Sequence, residues 1–209
     1  MTAQSIATEH AVVPGPVGDL EGLVDIRDSA LVASIAVVCH PHPQHQGTMH
    51  NKVAYTLART FARQGAAAIR FNFRGVGESA GKYADGIGEI EDALAVTSWA
   101  QRRWPSRPVY LAGFSFGGRV ALRAAVDVAP AGLVTVAPAV QTVDFEFQHP
   151  GCPWLIVQGE DDDIVPADAV ERFCRSISPQ PELQLISGAG HFFHGKLGAV
   201  ASAVQAFFR

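Results

Sequence analysis

Ser115 stands between Gly113 and Gly117 in the run Gly113-Phe114-Ser115-Phe116-Gly117-Gly118, and those glycines decide what its hydroxyl can do. A chain that passes from strand to helix through one residue crowds backbone at the positions two before and two after the turn, where only a residue without Cβ fits. The serine is left projecting alone, as a nucleophile must. The run lies between the apolar VYLA and an alanine-rich stretch, the strand and helix that such an elbow requires. Because the turn opens a helix, the Phe116 N–H has no intrahelical acceptor and has the helix dipole behind it, which suits it to one half of an oxyanion hole.

A serine hydroxyl is a poor nucleophile without a base, so the elbow implies an acid and a histidine later in the chain, in the order Ser, Asp, His. The loop Gly159-Glu160-Asp161-Asp162-Asp163-Ile164-Val165-Pro166 follows the apolar WLIVQ and offers three aspartates. Gly188-Ala189-Gly190-His191 follows the last apolar run, and its glycines let an imidazole reach the elbow. His191 is therefore the expected base, whereas His194 reads as a surface or helix-start residue. His40-Pro41-His42-Pro43 follows SIAVVC, the place from which a second oxyanion donor comes. Pro43 has no N–H, which leaves the backbone N–H of His42, its imidazole incidental. Phe114, Phe116, Phe192 and Phe193 flank these residues and are candidates to line an apolar acyl pocket.

Other chemistries compete for the same residues. His40, His42 and His45 have the H-x-H-x-x-H spacing of some binuclear zinc hydrolases, but such sites carry an aspartate where this chain has Gln44, and a neutral amide is a weak zinc ligand. Neither a metal nor another cofactor is expected. The run from Asn72 to Ser79 is glycine-rich, yet it lacks the third glycine and the G-K-[ST] ending of a nucleotide loop. A tight turn at the rim of the site, with Arg74 anchoring neighbouring loops, accounts for it. A non-catalytic binding domain is a further alternative, against which stands an intact Ser, Asp and His in the required order.

These residues need a frame, and the rest of the chain supplies one. Apolar residues make up 48% of the 209 and charged ones 17%, enough to bury one core and too little for two ordinary domains, so residues 1–209 are expected to form a single domain. Strands are predicted at Ser34–Cys39, Ala66–Phe73, Val109–Ala112, Leu133–Val136, Trp154–Gln158 and Leu183–Ile186. Between them, helical spacing predicts helices at Val53–Phe61, with Asn51 as cap, Ile87–Trp99, Phe116–Val128 and Ala167–Ile177, and a last stripe through Leu197, Val200, Val204 and Phe207. Val17–Asp28 reads as one or two short strands after a Pro14-Gly15-Pro16 turn. Strict alternation implies a mostly parallel sheet with helices on both faces and a site at the carboxyl ends of its strands.

Composition also excludes partners. A net charge of −4, with no basic cluster denser than Arg102, Arg103 and Arg107, gives no field for nucleic acid. MTAQSIATEH lacks the cationic start and apolar stretch of a signal peptide, and no run reaches the roughly 18 apolar residues of a membrane helix, so cytoplasmic residence without a membrane partner is the expectation. Cys39, Cys152 and Cys174 have no C-x-x-C spacing and read as reduced, buried thiols.

Assembled in order, HPHP, GTM-x-NKV, FNFRGVG-x-S, G-x-S-x-GG and GAGHFF resemble the motifs of the small, lidless bacterial α/β-hydrolases over residues 34–209. The resemblance implies the α/β-hydrolase fold without a cap domain, for which the stretch between Ala137 and Trp154 is in any case too short. It implies Asp162 as the acid, with Asp161 and Asp163 as neighbours, since Gly159 and Val165 then match the G-E-x-D-x-x-V-P pattern. It also implies a serine hydrolase that takes small acyl substrates, carboxylic esters foremost. The wider superfamily ends the oxyanion strand in His-Gly, and His40-Pro41 departs from that as the narrower family does. Thioesters, lactones and peptides use the same three residues and are not ranked by sequence. Phe145 and Phe147 are candidates for surface contacts; the oligomeric state is not legible.

Overall fold

Six apolar runs after residue 33 lie side by side in parallel in a computed structural model, which describes residues 5–140 and 149–208. They are β3 (Ser34–Cys39), β4 (Ala66–Phe71), β5 (Val109–Phe114), β6 (Gly132–Val136), β7 (Trp154–Gly159) and β8 (Glu182–Ile186). β1 (Ala7–Gly15) and β2 (Gly18–Ile26) form an antiparallel hairpin added outside β4, and the sheet runs β1-β2-β4-β3-β5-β6-β7-β8. Period-two alternation divides the apolar side chains between two cores. Ile35, Val37 and Cys39 face one side, with Ala93, Val120 and Val170 from α2 (Ile87–Arg103), α3 (Phe116–Val128) and α4 (Ala167–Arg175). Ala36 and Val38 face the other, with Leu57 and Val204 from α1 (Lys52–Arg63) and α5 (Leu197–Phe207).

The expected helices and central strands are found within a few residues of their predicted ends. Asn51 caps α1 as the sequence implied, its Oδ1 accepting from the N–H groups of Val53 at 2.9 Å and Ala54 at 3.3 Å. The hairpin departs from expectation. β1 buries only Ala11 and Val13 fully, so an edge strand with mostly exposed side chains shows little periodicity, and Pro14 pairs with Asp19 inside the ladder instead of starting a turn. All three cysteines are buried, as expected. Phe145 and Phe147 lie outside the described residues. Among the described residues no helix is long and apolar enough to cross a membrane.

Helix α2 also corrects the reading from spacing. Ile87, the first residue of its expected apolar stripe, is exposed, while Glu89 and Asp92 are fully buried. The polar face has a purpose. Asp92 receives the Arg74 backbone N–H at 2.9 Å and its guanidinium at 2.7 to 3.1 Å, so the turn after β4 is pinned to α2, the anchoring role expected of Arg74. A second polar hook acts one strand-end earlier. Asn72 Oδ1 accepts from the Met49 N–H at 2.8 Å and Arg70 donates to the Met49 carbonyl at 2.9 Å, while Arg70 pairs with buried Asp25 at 2.8 Å. The GTM-x-NKV segment is thereby fastened to β4 beside the His40–Pro43 loop.

Removing one member of a buried ion pair leaves the other charge uncompensated, at a cost of about 3–5 kcal/mol. Asp92→Ala is therefore expected to lower the urea midpoint of unfolding by that amount of stability at unchanged m-value; a shift below about 1 kcal/mol would show that the Arg74 anchor is replaceable.

Candidate active site

Ser115 stands between the end of β5 and the start of α3 with φ 54° and ψ −118°, a conformation that costs a non-glycine residue about 1–3 kcal/mol and is held by its surroundings. Its N–H donates to the Val136 carbonyl of β6 at 2.8 Å. A Cβ on Gly113 would lie 2.1 Å from the Gly117 carbonyl oxygen, and one on Gly117 would lie 2.3 Å from that of His40. Both glycines are thus required, one by the elbow itself and the other by the contact of α3 with the end of β3.

Asp162 and His191 lie on loops that are zipped to each other. Glu160 N–H donates to the Ile186 carbonyl at 3.1 Å and Asp161 N–H to that of Ala189 at 3.0 Å. So close is the approach that a Cβ on Gly159 would stand 2.3 Å from the Ala189 oxygen. Of the three aspartates, Asp161 and Asp163 are exposed and Asp162 is buried. Asp162 Oδ1 accepts from the N–H groups of Ile164 at 2.9 Å and Val165 at 2.7 Å, and Oδ2 faces His191 Nδ1 at 2.8 Å. Burial alone would raise the Asp162 pKa, but hydrogen bonds from His191 and the two loop N–H groups outweigh it and hold the carboxyl below its ordinary value. His191 Nε2 lies 3.1 Å from Ser115 Oγ. The three side chains form one hydrogen-bonded line at the carboxyl ends of β5, β7 and β8.

The family described as serine aminopeptidase, S33, matches residues 35–146, the span that carries the elbow. The chain belongs to the α/β serine hydrolases. An α/β serine hydrolase homologue from Coxiella burnetii is 41% identical and superposes with a TM-score of 0.92, over 96% of this chain and 97% of that one. An α/β serine hydrolase without a lid from Xanthomonas campestris is 39% identical, TM-score 0.90, over 96% and 93%. An uncharacterized protein of Rickettsia prowazekii is 36% identical over 202 residues, 91% of this chain and 84% of the relative. The α/β-hydrolase fold expected from the motifs is therefore the fold of this chain.

Two expectations about this hydrolase's site are corrected, and the zinc alternative can be weighed on donor chemistry. Phe114 and Phe193 are fully buried and belong to the core beneath the site, so neither lines an acyl pocket; Phe192 is 47% exposed and stands with its ring edge to His191. The zinc reading fails on donor chemistry. His40 is fully buried, its Nε2 accepts from the Phe73 N–H at 3.1 Å and its Nδ1 faces the Pro41 carbonyl at 2.6 Å, so neither ring nitrogen has a lone pair to offer a metal. The His42 imidazole is not incidental either. Its Nδ1 accepts from the Gln44 N–H at 3.2 Å, its Nε2 meets the Tyr83 hydroxyl at 3.2 Å, and its ring lies 4.8 Å from that of Phe116. Burial, with the nearby His45 and Arg119 acting against the charged form, lowers the His42 pKa and keeps the Nδ1 lone pair available to Gln44.

The loop after His42 is a single tight turn, Pro43–His45, with Gln46 in the left-handed region and Gly47 packed so closely that a Cβ there would lie 2.1 Å from the Pro41 carbonyl oxygen. Neither His42 N–H nor Phe116 N–H has a protein acceptor among the described residues. Tyr83 and Gln158 are the polar side chains here that the sequence did not point to. A cavity of about 460 Å³ lined by His149, Cys152, Trp154 and Glu182 opens at the amino ends of β7 and β8, away from Ser115.

Burial pushes the His40 pKa down to about 4, below the roughly 6.5 of an unfolded histidine. With the folded value depressed, His40 contributes its full stability above the unfolded pKa and loses it as pH falls from about 6.5 towards 4, by up to about 3 kcal/mol. His40→Gln is expected to flatten the unfolding free energy across that interval; an unchanged slope would mean that His40 is not held neutral.

Proposed function

We propose that this hydrolase cleaves small carboxylic esters through a covalent acyl-enzyme on Ser115. The reading rests on one observation, the line from Ser115 Oγ through His191 to Asp162 at 3.1 and 2.8 Å. His191 Nε2 takes the hydroxyl proton as Oγ attacks the acyl carbon, while Asp162 Oδ2 holds Nδ1–H and offsets the imidazolium charge. The carbonyl oxygen, now an oxyanion, accepts from the N–H groups of His42 and Phe116. His191 gives its proton to the departing alkoxide as the ester C–O bond breaks. Water then enters, loses a proton to His191 and attacks the acyl carbon, and His191 returns that proton to Ser115 Oγ as the acyl–Oγ bond breaks and the acid leaves.

Two features favour a short acyl ester as substrate. Exposed Phe192 stands beside His191, and the partly exposed rings of His42 and Tyr83 pack on Phe116, the residue after Ser115, which offers apolar surface to a small molecule. The likeness to a hydrolase without a lid fits a site open to solvent. The catalytic charges are met inside the protein, so no metal or organic cofactor is assigned a part.

Treatment with a fluorophosphonate, followed by mass spectrometry, is expected to place one adduct on Ser115 whether or not a chelator is present, and none in Ser115→Ala. Ester turnover lost on chelation with Ser115 unlabelled would overturn the proposal. Asp162→Asn leaves the imidazole without its orienting acceptor and is expected to lower kcat by about 10⁴-fold; a mild effect would assign the role to another acid.

A further inference from the structure

Gln158 is the penultimate residue of β7, after Trp154-Leu155-Ile156-Val157, and like those four residues it is buried. Its Nε2 donates to Asp162 Oδ2 at 3.0 Å and to the Val165 carbonyl at 2.9 Å, with the Gly159 carbonyl 3.3 Å away. Its Oε1 is buried and has no hydrogen-bond partner among the described residues. An orphaned buried amide oxygen of this kind destabilises the fold. Rotating the amide by half a turn brings no relief, because Oε1 would then face three oxygen atoms. The amide has one tolerable orientation, and in it both N–H bonds are used while the oxygen is sacrificed.

A hydrocarbon of equal length would pack in β7 without that cost, so the amide is explained by what its nitrogen holds. Asp162 receives four hydrogen bonds. Two backbone N–H groups fix Oδ1, and Oδ2 is shared between Gln158 and His191. Without Gln158, only the His191 imidazole restrains Oδ2, and the two N–H bonds to Oδ1 are left to set the carboxylate plane by themselves. The second N–H of the amide ties Val165, and with it the whole acid loop, back to the strand. We infer that Gln158 is a positioning residue: it sets the plane of the Asp162 carboxylate so that the remaining lone pair of Oδ2 meets Nδ1–H of His191. This role rests on the triad reading above and acts through Asp162, without contact to substrate.

Gln158→Met keeps the length and removes both the N–H groups and the orphaned oxygen. A misdirected carboxylate tilts the imidazole, and displacements of that kind cost on the order of 10- to 100-fold in rate. Expected for a p-nitrophenyl ester is a kcat lowered by that factor at a KM within about twofold, since no substrate contact is lost. The melting temperature should stay near that of the parent, because one orphaned atom leaves with the bonds. In proton NMR the downfield His191 Nδ1–H resonance should move upfield or broaden. Should Gln158→Met not accumulate, Gln158→Asn, which draws the amide back by one methylene, is expected to show the same kcat loss and spectral change. An unchanged kcat and resonance overturns the inference, and so does a loss of kcat that tracks a fall in melting temperature while the resonance stays in place. Fluorophosphonate labelling of the parent separates the two levels: an unlabelled Ser115 overturns the triad and this role together, whereas a labelled parent with a fully active Gln158→Met overturns this role alone.

Discussion

Backbone meeting backbone, at distances no Cβ would permit, is the constraint on which the site depends. Gly117 lets the first turn of α3 rest on the carbonyls at the end of β3, and Gly113 lets that turn fold back on β5. The first contact sets the distance between the Phe116 N–H and the His42 loop; the second forces Ser115 to a positive φ and its hydroxyl outward. Gly159 does the same for the other half of the site by admitting the Ala189 carbonyl. Three glycines thus bring three loops from separate strands into register, and the reactive side chains inherit their geometry from main-chain contacts that side-chain motion cannot loosen.

Around that frame, polar groups are buried in pairs that each hold a loop. Arg74 with Asp92 fixes the turn after β4, Arg70 and Asn72 fix Met49, His40 holds the Phe73 N–H, and Gln158 holds Asp162. None adds apolar burial, and each sits where the sheet ends and the chain must change direction. Stability comes from the two apolar layers; the buried polar set specifies where the loops lie.

The central sheet was legible in the sequence because its strands are buried on both faces and read as unbroken apolar runs, and the elbow because glycine spacing has a steric cause. Ser115 and His191 could be placed by order and position, while the choice of Asp162 needed the family resemblance; burial and the Ile164 and Val165 N–H groups now distinguish it from its exposed neighbours. The first hairpin was obscured because one of its strands shows water most of its side chains. Phe114 and Phe193 misled because adjacency to a reactive residue along the chain says nothing of which face of the sheet a ring takes. His40 was ambiguous for a different reason: a histidine that caps a buried N–H and one that binds zinc have the same spacing until both ring nitrogens are accounted for.

Ser115 and His191 are 76 residues apart, and His191 and Asp162 are 29 apart. Because β8 joins β5 only through β6 and β7, the loop that carries His191 reaches Ser115 only when all three strands are in place. During refolding, therefore, helix content and compaction should run ahead of enzymatic competence, and a chain halted before β8 docks would carry its nucleophile in place yet remain chemically silent.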